Sequence, residues 1–346
     1  MKANGRRSID NPKRVVSRGL VIGPARIRKV ASDTGFRAEI VEKALYLGAI
    51  LARLGRHPDL GGSWVLKGGT ALNLFWMDVP RLSVDIDLNY VGQVKMEDMQ
   101  AGREDFESAL AASCEAEGCS VRRVPREHAG GKFHLRYAGG IGGAGSLELD
   151  VNYLQRRPLL GVEHRAPRFP PDGDRPPSPV LTFEETTAGK FAALVTRRAA
   201  RDAFDAWGIL EMRPGLLQER DFRLAFVILA AEHRQDVRRI EVEDVEASEK
   251  AVRDSLFPML RVEQRPFDGD AKVLTERIND ACREAARQLL AWSAGESDFL
   301  DRLLDRGEIA PEALSEDRDR QSIIASQPAL QWKALNVRKH KGLEKA

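Results

Sequence analysis

Between Arg37 and Arg53 the apolar residues fall at Ile40, Val41, Ala44, Leu45, Leu47, Ile50 and Leu51, a helical period that predicts an amphipathic helix. The pattern then shortens. Trp64-Val65-Leu66 is a compact apolar run that predicts a strand, Gly68-Gly69 a turn, and Thr70–Trp76 a helix. Val84–Leu88 alternates aliphatic with acidic residues, as a strand with one wet face does. A helix follows over Glu104–Glu117, then Val121–Val124, Lys132–Tyr137 and Leu147–Tyr153 predict strands of an antiparallel meander. The Pro-rich stretch Ala166–Val180 predicts an exposed connection, and from Thr182 onward the pattern is helical almost to the end. The fold class is therefore α+β, with a mixed-sheet domain preceding a helical one and the change falling between residues 170 and 215. At 346 residues the chain is long enough for two cores. The expected division is an arm over 1–33, the α/β unit over 34–180 and the helical unit over 181–346.

Charge alters this picture only at the ends. A formal net charge of +2 conceals a basic arm, in which Lys2, Arg6, Arg7, Lys13, Arg14, Arg18, Arg26, Arg28 and Lys29 face Asp10 alone. Arg338, Lys339, His340, Lys341 and Lys345 repeat the bias at the other end. Such tails suit a polyanionic partner or are simply solvated. Cys114, Cys119 and Cys282 are an odd number without a second pair to complete a zinc site, so reduced thiols are expected. No apolar run approaches the roughly 20 residues of a membrane span, and no apolar segment follows the basic N-terminus as in a signal peptide. A cytoplasmic protein with no membrane partner is expected.

The candidate chemistry begins with Asp85-Ile86-Asp87. Carboxylates at i and i+2 project from the same face of a strand, a ready site for a hard divalent cation. Gly68-Gly69-Thr70 lies between a strand and a helix start, where free N–H groups and the helix dipole favour phosphate, and where the Thr70 hydroxyl could meet a phosphate oxygen or cap the helix. That hydroxyl is also a candidate for phosphorylation, which would put negative charge where a bound phosphate would sit. Asp150, in Leu147-Glu148-Leu149-Asp150-Val151, shares its face with Glu148. If its strand neighbours that of Asp85, it is a candidate base or third metal ligand, with Glu148 as competitor. Gly140-Ile141-Gly142-Gly143-Ala144-Gly145 spells a dinucleotide-binding pattern but leads into a strand, so it predicts a hairpin loop. On one continuous helix, Arg197 and Arg201 would each lie within about 20 degrees of Lys190, a cationic cluster for a triphosphate or an RNA backbone.

Taken together, Leu66-Lys67-Gly68-Gly69-Thr70-Ala71-Leu72, Arg81-Leu82-Ser83-Val84-Asp85-Ile86-Asp87-Leu88, Glu184-Glu185 with Lys190, and Arg201-Asp202-Ala203-Phe204-Asp205 resemble the AbiEii-type nucleotidyltransferase toxins. This family includes the MenT proteins, belongs to type IV toxin–antitoxin systems and has a DNA polymerase β-like fold. The resemblance runs from about Thr34 to Leu210. It implies transfer of a nucleotide from an NTP, with Mg²⁺ or Mn²⁺, to an acceptor hydroxyl such as the 3′ end of tRNA. It also implies a cognate antitoxin encoded nearby and a role in phage defence. The catalytic set it implies is Asp85, Asp87, Asp150, Lys190 and Asp202, with Asp85, Asp87 and Asp150 as metal ligands. Lys67, Gly68, Gly69, Thr70, Arg81, Ser83, Arg201 and Asp205 would hold the nucleotide or its phosphates. A protein or small-molecule acceptor, and a non-catalytic RNA-binding or nucleotide-binding module, are the competing readings.

Overall fold

The computed structural model describes residues 22–124, 130–173, 175–264 and 270–343. Seven strands build one sheet: β1 (Trp64–Leu66), β2 (Asp85–Tyr90), β3 (Ser120–Arg123), β4 (Gly130–Ala138), β5 (Ala144–Asn152), β6 (Val162–Arg165) and β7 (Ser178–Leu181). Their order is β3-β4-β5-β2-β1-β7-β6. The expected meander is present, since β3, β4 and β5 pair antiparallel in sequence. Two joins are parallel and non-local, β2 with β5 and β1 with β7. The first matters most for chemistry, because its register sets Asp85 opposite Glu148 and Asp87 opposite Asp150.

Strict alternation divides the two sheet faces. Phe133, Leu135, Leu147, Leu149 and Val151 point into an apolar core, while their neighbours point away from it. That core is closed by α2 (Ala38–Arg56) and α4 (Met96–Ala116), with α1 (Pro24–Thr34) packed on α2. The second half of the chain contributes α5 (Phe183–Arg197), α6 (Ala200–Met212), α7 (Arg220–Glu232), a single turn α8 (Glu249–Ala251), α9 (Lys272–Leu289), α10 (Ala294–Asp301), α11 (Arg318–Ala325) and α12 (Pro328–His340). These helices share their own core, into which Leu72, Met77 and Leu159 reach from the first half. Trp76 packs against both cores.

Three expectations need correction. Part of the basic arm is structured: α1 buries Ile27 and Val30 and turns Arg26, Arg28 and Lys29 outward. The arm's earlier cations, Lys2 to Arg18, and Lys345 at the other end lie outside the described residues. The Pro-rich stretch is not merely an exposed connection, because Phe169 is buried and β7 is a nearly buried strand hydrogen-bonded to β1 and β6. Finally, Lys190, Arg197 and Arg201 do not share one helix. Arg198 adopts a left-handed conformation with φ 57°, ending α5 before α6 begins at Ala200.

Other readings agree with the structure. Gly139–Gly143 turn between β4 and β5, with Gly142 and Gly143 at φ 110° and 74°, so the glycine pattern there is a hairpin loop. All three cysteines are unpaired and buried. Burial pushes the Cys119 thiol up to about 11 and Cys282 up to about 12, far from a reactive thiolate. Among the described residues, no helix is long and apolar enough to cross a membrane.

Candidate active site

The edge of β1 and the turn after it form one wall of a cleft of about 500 Å³. The helix here starts at Gly68 and its last five residues, Leu72–Trp76, widen into a π turn. Gly68 sits at φ 70°, and any Cβ added there would collide with the Asp87 carboxylate. At Gly69 an added Cβ would stand 2.9 Å from an Arg81 guanidinium nitrogen and 3.1 Å from the Ser83 hydroxyl. Both glycines are therefore dictated by close approach of side chains to the backbone as well as by the turn. Thr70 departs from expectation. It is fully buried, and its hydroxyl donates 2.5 Å to the Asp85 carbonyl, fastening the turn to β2 rather than facing the cleft. As it stands the hydroxyl is committed to this backbone bond and lies outside the cleft lining.

Asp85, Asp87 and Asp150 all line the cleft from adjacent parallel strands. Asp85 remains about two-fifths exposed, with Arg201 3.3 Å from its Oδ2. Burial raises the Asp87 carboxyl above its usual range; Lys67 opposes the shift and Asp85 adds to it. Asp150 is likewise raised, by burial first, with Lys132 opposing and Asp87, Glu148 and Asp85 adding. Acids that repel one another while facing a common cleft, and that offer only hard oxygen donors, fit a divalent cation. They have not converged on a point, since no group of three His, Cys, Asp or Glu among the described residues is close enough to chelate as it stands. Glu148, the suggested competitor, is engaged elsewhere: Lys132 lies 2.6 Å and His134 3.4 Å from its carboxylate.

The opposite wall comes from α5 and α6. Lys190 projects among Asp202, 2.8 Å from its Nζ, and Asp205, 2.9 Å away. Burial alone would lower its pKa, but the two carboxylates outweigh this and hold it raised and charged. The remaining oxygen of Asp202, Oδ2, is buried and accepts no hydrogen bond, though Arg197 lies 3.3 Å off. Asp205 and Arg81 form the base of the site. Arg81 donates through Nε and Nη2 at 2.7 Å each, and Asn73 adds a third donor at 3.1 Å. Burial pushes the Asp205 carboxyl up, but Arg81 and Lys190 outweigh it and bring it down to about 2. Arg81 and Asp205, two of the residues expected to hold the nucleotide or its phosphates, are thus paired with each other, and the pair backs Lys190 and the Gly69 turn. Ser83 and Lys67 line the cleft as expected, and Arg197 and Arg201 still reach its rim despite the helix break.

A further chain of polar groups, not expected from the sequence, extends from Lys67. Lys67 Nζ donates to Gln155 at 2.9 Å, and Gln155 donates to Glu232 at 2.8 Å. Glu232 closes α7 after the apolar run Leu224–Ala231, and an acid ending such a run is the one local hint. Burial pushes Glu232 up to about 7, with Gln155 and Lys67 opposing, and burial does the same for Glu185, up to about 7. A carboxyl whose folded pKa exceeds its unfolded value keeps its proton on folding. It costs nothing below the unfolded value of 4.5, and the penalty grows as pH rises and is complete above about 7. Glu232→Gln should therefore leave stability unchanged near pH 4.5 and raise it at pH 8 by on the order of 2 kcal/mol. Thermal unfolding of parent and variant across that range checks it; a constant difference would contradict the shifted pKa.

The sequence profile described as the nucleotidyl transferase AbiEii toxin of type IV toxin–antitoxin systems matches residues 49–272. That span contains every residue of the cleft. Comparison with curated proteins gives no match. Among solved structures, the chain is similar to MenT4, a nucleotidyltransferase toxin from Mycobacterium tuberculosis, with a TM-score of 0.57, 19% identity, and coverage of 88% of this chain and 98% of that one. Similarity to JHP933 from Helicobacter pylori is weaker, with a TM-score of 0.45, 17% identity, and coverage of 73% and 94%. The MenT4 match supports the mixed-sheet fold, and the profile spans more than half of the sequence. The chain belongs to the AbiEii family of nucleotidyltransferase toxins from type IV toxin–antitoxin systems.

Proposed function

We propose that this nucleotidyltransferase toxin moves a nucleotide from an NTP to a hydroxyl of an RNA acceptor, the 3′ end of tRNA being the leading candidate. The observation that carries the proposal is the facing of two charge sets across one cleft: Asp85, Asp87 and Asp150 on the sheet, and Lys190, Arg197 and Arg201 on the helices. A triphosphate needs the second set and a metal needs the first. Asp85 and Asp87 are the residues that would hold Mg²⁺ or Mn²⁺, with Asp150 beside them as a third carboxylate. When bound, such a cation neutralises the phosphates and lowers the pKa of an attacking hydroxyl.

The chain's own groups do the rest. Backbone N–H groups at Gly68 and Gly69, with Lys67 and Ser83, orient the phosphates. Lys190, fixed by Asp202 and Asp205, presents a positive charge that needs no rearrangement during the reaction. Asp150 Oδ atoms, with affinity for protons enhanced by burial, receive the proton of the acceptor hydroxyl. The hydroxyl oxygen bonds to the α-phosphorus, the bond from that phosphorus to the bridging oxygen breaks, and pyrophosphate leaves. Two functional units, a sheet unit carrying the acids and a helical unit carrying Lys190 and Asp202, would meet at this cleft. A cognate antitoxin, as the family's toxin–antitoxin membership implies, would restrain the activity in the cell.

The acceptor is tested by incubating the protein with each α-labelled NTP, Mg²⁺ and total RNA, then digesting the product. Label lost to ribonuclease but not to protease is expected. Label that survives ribonuclease and follows a protein or small molecule would contradict an RNA acceptor.

A further inference from the structure

Among the described residues, the outer face of β3 and β4 beside the cleft carries exposed cations. The helices α2 and α4 close only the apolar side of β3, β4 and β5. On the other side the registers align a single row across four strands: Asp85 opposite Glu148, Glu148 opposite His134, His134 opposite Arg122. Lys132 and Arg136 flank His134 on the same face, two residues to either side. From Asp85 to Arg122 the row spans three strand spacings, roughly 14–15 Å. Its charge changes steadily along that path. Next to the cleft lie carboxylates, then Lys132 and His134 paired to Glu148, then exposed Arg122 and Arg136, which have no acidic partner among the described residues. Arg136 stands opposite Ser120 and Ser146, and Arg122 opposite His134, so neither faces an acid across the sheet.

Exposed arginines spaced along a sheet face and leading to a cleft present the charge complement of a phosphate backbone. We propose that this face of β3 and β4 is the track on which the RNA acceptor lies, with Arg122 and Arg136 contacting backbone phosphates while the acceptor hydroxyl reaches Asp85 and Asp150. The inference rests on the reading that the acceptor is RNA. Contacts of this kind position the strand without selecting its sequence, so the track fixes where RNA enters and leaves nucleotide choice to the cleft.

Arg122→Glu/Arg136→Glu tests it, because both side chains are exposed and neither belongs to the cleft, so the fold and the triphosphate site are left intact. Three quantities are measured on the full chain: binding of total tRNA across a salt series, transfer of α-label to that RNA, and binding of the triphosphate alone. The expected result is RNA affinity reduced on the order of 10- to 100-fold at low salt, with the salt slope shallower by about 1–1.5, label transfer reduced in parallel, and triphosphate binding unchanged. Unchanged RNA affinity and salt slope overturn the track while the RNA reading stands. Unchanged RNA affinity with lost binding of the antitoxin also overturns it and gives the face to a protein partner. If the unaltered protein neither binds nor labels RNA yet binds triphosphate, the RNA reading fails first and the track with it.

Discussion

Asp85→Ala and Asp87→Asn should each reduce nucleotide transfer on the order of 10³-fold or more while leaving the unfolding temperature near that of the parent. The separation of the two effects follows from their surroundings. Asp85 is about two-fifths exposed, and its ion pair with Arg201 is open to solvent and of little weight for stability. Asp87 is more enclosed, but asparagine preserves its shape beside Gly68 and removes a charge that burial already disfavours. Initial-rate measurements alongside thermal unfolding test this. Transfer at parental rates in either variant would reduce these acids to a solvated strand face.

The second large effect belongs to stability. Arg81→Met should destabilise the protein by about 3–5 kcal/mol, because it leaves the buried Asp205 without its two-pronged partner. Lysine would not rescue it, since one ammonium cannot make both bonds in the plane of the carboxylate. Arg81→Met combined with Asp205→Leu should regain much of the loss, as an apolar pair needs no compensation, but should not regain activity, because Lys190 then loses an anchor. Denaturant unfolding of the two single variants and the pair checks this. The parent has the matching pH behaviour: Asp205 is held at about 2, below its ordinary 3.8, so its contribution is present in full above about pH 4 and lost as pH falls through 2. An Arg81→Met protein as stable as the parent would mean the pair contributes nothing.

How far the sequence discloses this site depends on the range of the interaction involved. Asp85 and Asp87 were legible because i, i+2 spacing on a strand is a local fact, and Glu148 and Asp150 were legible as a face for the same reason. That the two faces lie on neighbouring strands is a non-local, parallel pairing that no local pattern encodes. The Thr70 bond to β2 is not legible, because a hydroxyl at a helix start serves ligand or backbone equally well in sequence and only the position of the Asp85 carbonyl distinguishes them. The break between α5 and α6 was hidden because Arg198, neither glycine nor asparagine, takes the left-handed conformation, and Arg197-Arg198-Ala199-Ala200 contains no usual helix stop. The strand β7 was hidden by Pro179, which argues against a strand wherever its missing N–H would be needed. The Lys67, Gln155 and Glu232 chain joins three separate segments and left almost no local trace.

The most direct test compares two reactions of the protein with total RNA and Mg²⁺, one supplied with α-labelled and the other with γ-labelled NTP. Nucleotide transfer at this cleft predicts that the α-label enters the RNA, that the γ-label leaves as pyrophosphate, and that Asp85→Ala does neither. Entry of the γ-label into the product, or α-label incorporation that is undiminished in Asp85→Ala, would contradict it.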